Sequence, residues 1–183
     1  MFHVEQIKNF MDLKREIRDI PDYPKKGIDF KDVTTLFKNK EAMKYVTDEI
    51  SNNFKGKGIT KVVGLEARGF IFGGAVANEL DAGFIPVRRK GKLPSKIISE
   101  TYELEYGTDS VEMHVDALNK DDIILIHDDL LATGGTAMAA LKLAQQCGVK
   151  KIYFSFLCDL EFINTPNKEL LKEFETQVLV KYQ

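Results

Sequence analysis

At 183 residues, with 44% apolar and 30% charged side chains, the chain can bury one substantial core and falls in the ordinary range of globular proteins. Its 26 basic and 28 acidic residues leave a formal charge of −2, which excludes a broad basic footprint for nucleic acid. No apolar stretch approaches the roughly 18 residues that a bilayer helix needs, and the opening "MFHVEQIKNFMDLKREI" is charged throughout instead of carrying a signal-peptide core, so a cytoplasmic protein with no membrane segment is expected.

In the first segment Ile7, Phe10, Met11 and Ile17 fall near one helical face, and the helix they predict must end by Pro21, which cannot continue the hydrogen-bond ladder. "PDYPKKGIDF" then reads as an extended, loop-like region up to Phe30. A second helix is predicted over about 40–53, with Ala42, Met43, Val46 and Ile50 as its buried stripe. From Ile59 onward short apolar runs alternate with helical periodicity: "KVVGL", a helix from Phe70 to Leu80, "GFIPV", "IILI", a helix from Ala137 to Cys147, and "KIYFSFL". Such alternation predicts an α/β fold, a mostly parallel central sheet flanked by helices. Between these runs, "KIISETYELEYGTDSVEMHV" is polar and partly alternating with a turn at Gly107, and is predicted to be a hairpin projecting from the sheet, either a binding lid or an insertion. "VRRKGK", beginning at Val87, is a local cationic cluster that suits a solvated turn, a small-anion site or a macromolecular contact. Cys147 and Cys158 match no metal-ligand spacing and read as reduced structural thiols.

Ligands of parallel sheets bind beyond the carboxyl ends of the strands. Both "LEARG" after "KVVGL" and "DDLLATGG" after "IILI" lie there. Thr136 or its neighbours open a helix whose Ala137, Met138, Leu141 and Ala144 face inward and for which Gly148 suits the stop. The start of that helix offers unpaired N–H donors and a favourable dipole, a cradle for phosphate, with Thr133 and Thr136 as extra donors. It is neither the nucleotide P-loop, since no Gly-Lys-Ser/Thr follows, nor the dinucleotide Gly-x-Gly-x-x-Gly turn. Asp128 and Asp129 stand just before it, and carboxylates are strong acceptors for vicinal hydroxyls. A sugar 5-phosphate satisfies both groups; the alternative is a structural tight turn with one capping and one solvated aspartate.

"IILIHDDLLATGGT" resembles the phosphoribosyl-diphosphate-binding signature of the type I phosphoribosyltransferases. "IRDIPDYPKKGIDFKDVTTLF", "GLEARGFIFG", "RRKGKLP" and "YELEYG", in that order, narrow the resemblance to the members of the family that act on adenine. The resemblance implies transfer of a 5-phosphoribosyl group from 5-phosphoribosyl 1-diphosphate to N9 of adenine, giving AMP and diphosphate, with Mg²⁺ required. It places the 5-phosphate on Ala132, Thr133, Gly134, Gly135 and Thr136, and the ribose hydroxyls on Asp128 and Asp129. It gives Arg68, Arg88 and Lys92 the leaving diphosphate, and magnesium shares that work through diphosphate and water without a protein cage. Phe30 is implied to stack on the base, with backbone near Asp29 reading its edge and Lys31 orienting the pocket. Glu105 is the implied catalytic carboxylate and Tyr106 packs over the site as part of a lid. The resemblance also implies a cis non-proline peptide within Glu66-Ala67-Arg68 and a homodimer. It further implies a hood made by residues 1–37 with part of 155–183, and a core of 38–183 forming a single compact domain overall.

Several positions depart from the family pattern. Lys31 stands where arginine is frequent and cannot repeat its planar fork. Asp29 replaces an apolar residue beside the base, Lys26 and Thr35 replace prolines, and His127 replaces an apolar strand residue. "DLEFINTPNKEL" lacks the family's Gly-Arg, leaving Leu160 and Glu161 as candidates for the floor of the base pocket. A sister enzyme for another 6-substituted purine and a non-catalytic sensor of the donor are the alternatives.

Overall fold

The computed structural model describes residues 10–103 and 107–183. The chain divides into two compact units, Met1–Tyr45 and Val46–Gln183.

In the first unit, the predicted helix is a single turn, α1 (Leu13–Glu16); Ile7 lies outside the described residues. It stops because the next residues pair: β1 (Arg18–Ile20) runs antiparallel to β2 (Phe30–Asp32), with Arg18 opposite Asp32. Cross-strand charge supports this register, with Arg18 Nη2 2.8 Å from Asp32 and Lys31 Nζ 2.6 Å from Asp19. The expected loop is thus the connection of a small hairpin, turned by a cis Tyr23–Pro24 bond. After α2 (Thr34–Phe37) comes α3 (Lys40–Phe54), close to the predicted span. Asn39 caps it, its side-chain oxygen accepting from the N–H groups of Glu41 and Ala42. Ala42, Val46 and Ile50 are buried as expected.

The second unit is built on β3 (Lys61–Leu65), α4 (Gly69–Glu79), β4 (Gly83–Arg89), β5 (Ile97–Glu103), β6 (Thr108–His114), β7 (Ile123–Leu131), α5 (Gly135–Gln146), β8 (Lys151–Leu160), α6 (Pro166–Leu171) and β9 (Thr176–Tyr182). Its seven strands lie in the order β5-β6-β4-β3-β7-β8-β9. The pairs β3–β4, β3–β7, β7–β8 and β8–β9 are parallel, and β6 pairs antiparallel with both β4 and β5. The α/β expectation of a mostly parallel sheet with helices is met. β9 has no counterpart in the sequence reading: its first four residues are all half-buried, and only Val180 and Tyr182 at its end are buried.

The main core follows strand alternation. Val63 and Leu65 of β3, Ile124 and Ile126 of β7, and Phe154 and Phe156 of β8 share one cluster with Ala137, Ala140, Leu141 and Ala144 of α5. Alanines on this helix face let its axis approach the sheet, and full burial of each larger side chain contributes about 1.5–3 kcal/mol. β5 and β6 pair along their whole length, from Ile97 opposite His114 to Glu103 opposite Thr108. The base of this hairpin extends the sheet, with Ile98 and Tyr102 packed on the core.

Candidate functional site

The chain leaves β3 toward β4 on one side of the sheet and β7 toward β8 on the other, so β3 and β7 flank the point where strand order reverses. At such a point the two outgoing loops part and leave a crevice. Gly64 lies opposite His127, which brings the loop after β3 and the acids of β7 to neighbouring strand ends. The first loop passes through a cis Glu66–Ala67 peptide, as the resemblance implied, and Arg68 stands immediately before α4.

The second loop takes the glycine-turned form that leads into a helix. Gly134 has φ +79°, a left-handed conformation that favours glycine, and α5 begins at Gly135. The loop is pinned from outside by the Thr165 hydroxyl, which donates to the Thr133 carbonyl at 2.7 Å. A recess of about 70 Å³ is lined by Thr133, Gly134, Gly135 and Thr136, with Asp128 at its side. The helix start supplies unpaired N–H groups and the positive end of its dipole. A methyl group on Gly135 would lie 2.9 Å from the Tyr102 ring, so glycine is what lets the hairpin strand sit against the cradle.

Asp128 and Asp129 are successive strand residues, so alternation gives them different surroundings. Asp129 is 4% exposed, and its Oδ2 is 2.6 Å from Arg68 Nε. Burial drives the Asp128 carboxyl well above the usual range, and the neighbouring Asp129 charge adds to this. Burial also raises Asp129, against the opposing pull of Arg68. A cation or hydroxyl donors arriving here therefore favour ionisation of a pair that is otherwise reluctant to carry two charges. His127, one residue before, is fully buried with Nδ1 3.4 Å from Ser155 Oγ. Burial, only partly opposed by Ser155, lowers its pKa to about 4, so it is neutral at pH 7.

The two loops and the hairpin enclose a cavity of about 420 Å³ whose polar wall comprises Glu66, Arg68, Arg89, Tyr102, Asp128, Asp129 and Thr136. Three of these were not singled out from sequence: Glu66, Arg89 and Tyr102. Of the expected cations, Arg68 lines the cavity, whereas Arg88 binds Glu66 through Nε at 3.2 Å and Nη2 at 3.1 Å. Burial pushes the Glu66 carboxyl up, but hydrogen bonds from Arg88 and the Arg89 N–H, with the charges of Arg88 and Lys92, outweigh it and hold the group below its ordinary value. Lys92 is exposed, and its carbonyl accepts from Arg88 Nη1 at 3.1 Å. Strand alternation at Arg88-Arg89 was the available signal that only one of the pair would face the cavity.

The expected base residues lie in the first unit. Phe30 and Lys31 are on β2 and Asp29 precedes them. Phe30 meets the Tyr23 ring edge-on at 5.3 Å, Lys31 pairs with Asp19, and Asp29 is exposed. Glu105 and Tyr106 lie outside the described residues. Leu160 ends β8, and the Glu161 carboxylate is 2.8 Å from Lys181 Nζ. Among the described residues no group of three or more His, Cys, Asp or Glu is close enough to hold a metal ion.

A glycine-turned helix start and a carboxylate pair thus lie together on one crevice of an α/β sheet. The chain belongs to the phosphoribosyltransferase family: the family model described as "Phosphoribosyl transferase domain" matches residues 32–178. It is 53% identical over 152 residues to the adenine phosphoribosyltransferase of Phocaeicola vulgatus, covering 83% of this chain and 87% of that one. The crystal structure of the adenine phosphoribosyltransferase from Rhodothermus marinus is 43% identical and superposes with a TM-score of 0.86, covering 93% of this chain and 96% of that one. The enzyme from Giardia lamblia, solved in complex with 9-deazaadenine, is 38% identical with a TM-score of 0.87, covering 94% and 97%.

Proposed function

We infer that this chain is an adenine phosphoribosyltransferase, which transfers the 5-phosphoribosyl group of 5-phosphoribosyl 1-diphosphate to N9 of adenine and releases AMP and diphosphate. The observation that carries the reading is the cradle at α5 and the Asp128–Asp129 pair lining adjoining hollows that share Asp128 and Thr136, in a chain about half identical to enzymes of that name.

On this reading the 5-phosphate rests on residues 132–136 and the ribose hydroxyls donate to Asp128 and Asp129. The C1–O bond breaks with its electron pair leaving on diphosphate, and the C1–N9 bond forms from the base. Positive charge on the ribose ring between these events is stabilised by the two carboxylates, held in place beforehand by the strand and by Arg68. Arg68, Arg89 and Lys92 face the developing charge of the diphosphate, and Arg88 stands beside Arg89 at the end of β4. Glu105 takes the N9 proton, and the hairpin with Tyr106 shields the centre from water. Phe30 stacks on adenine, while backbone donors and acceptors near Asp29 select it, because stacking alone does not discriminate among purines.

Magnesium fits these residues. It is ordinarily held by one or two carboxylates together with phosphates and water, and Asp128 and Asp129 offer the carboxylates beside the diphosphate position. When bound it neutralises part of the leaving group's charge. The reading includes a homodimer in the cytoplasm, in keeping with two free cysteines and with no described helix long and apolar enough to cross a membrane.

The test is AMP and diphosphate formation from the donor and Mg²⁺ with adenine, hypoxanthine and guanine supplied in turn. Turnover with adenine alone is expected. Preference for another purine moves the chain to a sister enzyme, and donor binding without turnover makes it a sensor.

A further inference from the structure

The end of β4 and the turn that follows carry four cations within five residues, Arg88, Arg89, Lys90 and Lys92, yet they are not equivalent. Every nitrogen of the Arg88 guanidinium already has an acceptor: Nε and Nη2 donate to the two oxygens of Glu66 at 3.2 and 3.1 Å, and Nη1 donates to the Lys92 carbonyl at 3.1 Å. Such a fork-to-fork pair has a fixed geometry. The same Glu66 carboxylate also accepts the Arg89 N–H at 2.9 Å. Another carboxylate, that of the buried Glu112 on β6, accepts the Gly91 N–H at 2.8 Å. The backbone of the turn is therefore gripped from β3 and from β6, while the Arg89 side chain is left facing the cavity.

We propose that Glu66 and Arg88 are a positioning pair: Arg88 acts as a strut within the turn, and Glu66, by holding both its guanidinium and the Arg89 N–H, sets Arg89 against the anionic leaving group. The inference rests on the reading of the site as one that binds diphosphate. It commits the Nε–Nη2 edge of Arg88 to Glu66: three of its N–H groups are engaged, and that edge meets a new anion only by giving up Glu66. It also couples the loop that carries Arg68 to the turn that carries Arg89, through one carboxylate two residues from Arg68. Both cationic walls of the cavity thus share a single fixed point.

The sign of one substitution separates this arrangement from simple electrostatics. Glu66→Gln removes a negative charge beside an anion site, and Coulomb attraction alone predicts tighter diphosphate binding. Positioning predicts the reverse, because the amide presents one acceptor where the carboxylate presents two and the Arg88 fork is lost. The measurement is calorimetric binding of magnesium diphosphate to the full chain, well below its unfolding temperature, for Glu66→Gln, Arg88→Met and the double variant, with AMP formation by the unaltered chain as control. The expected result is about tenfold weaker binding in each single variant and no further loss in the double, the mark of residues acting as one unit. Unchanged or tighter binding in Glu66→Gln overturns the proposal, as do losses that add in the double variant. If Glu66→Gln does not fold, Arg88→Lys decides, since it keeps the charge and loses the fork: wild-type affinity there overturns the proposal equally. Failure of the unaltered chain to bind diphosphate or form AMP would instead overturn the functional reading on which the pair depends.

Discussion

Replacing Gly69 with alanine tests whether the start of α4 sets the position of the acid pair. A Cβ at Gly69 would stand 2.9 Å from the His127 carbonyl oxygen, 3.0 Å from Asp128 Oδ1 and 3.2 Å from Asp128 Cα. Ordinary contact begins at 3.4 Å, and two of these three atoms are backbone, which has no rotamer with which to yield. The helix start and the end of β7 must separate by roughly 0.5 Å in a close-packed interior. Overpacking of this kind costs about 1–3 kcal/mol, or a fall in Tm of about 2–12 °C for a domain of this size. Because a 1 Å misplacement of reacting groups costs about 100-fold, kcat/KM should fall by about tenfold. Gly74, in the same helix, is the matched control, as its added Cβ meets nothing within 4 Å. Gly74→Ala should keep the wild-type kcat/KM and add about 0.5–1 kcal/mol from helix propensity. Forward-rate assays at 25 °C and thermal unfolding of the two variants suffice. Wild-type activity in Gly69→Ala, or equal damage in both, would refute the claim that this close approach positions Asp128.

Three further outcomes are expected. Asp128→Asn with Asp129→Asn should lower turnover by at least about 100-fold with the far-ultraviolet circular dichroism unchanged; near-normal rates would remove both from the ribose. Glu105→Ala should lower kcat far more than it weakens AMP binding, and an unchanged kcat would return that residue to solvent. His127 titrates near pH 4 in the folded chain against an ordinary 6.5, because burial favours its neutral form. Between these values the unfolded chain binds a proton that the folded chain refuses, so this contribution is complete above pH 6.5 and is lost as pH falls toward 4. It amounts to on the order of 3 kcal/mol. His127→Gln should flatten the slope of Tm against pH in that window, and an unaltered slope would show that His127 is not the group responsible.

The amphipathic α3, the parallel strands and the glycine-turned start of α5 were legible because each depends on local periodicity or on a backbone conformation that few residues adopt. Val46 and Ile50 declare a helix face by spacing alone, and Gly134 declares its turn by type. β1 and β2 were not legible, since three-residue strands carry too little alternation and exist through pairing with each other. The same holds at the site. Asp128, Asp129 and residues 132–136 lie close together in the chain, so their juxtaposition follows from one strand, one loop and one helix. Glu66, Arg89 and Tyr102 reach the same cavity from three other strand ends.

By itself, then, the amino-acid sequence determined that this would be an α/β protein with a glycine-turned helix start beside two carboxylates, because hydrophobic period, glycine chemistry and chain proximity are local properties. Only the tertiary structure decided that Arg88 answers Glu66 while Arg89 faces the cavity, and that Tyr102 lies on Gly135. Those outcomes depend on which strand ends the sheet order brings together, and a side chain's partner is chosen by the space and charge found there.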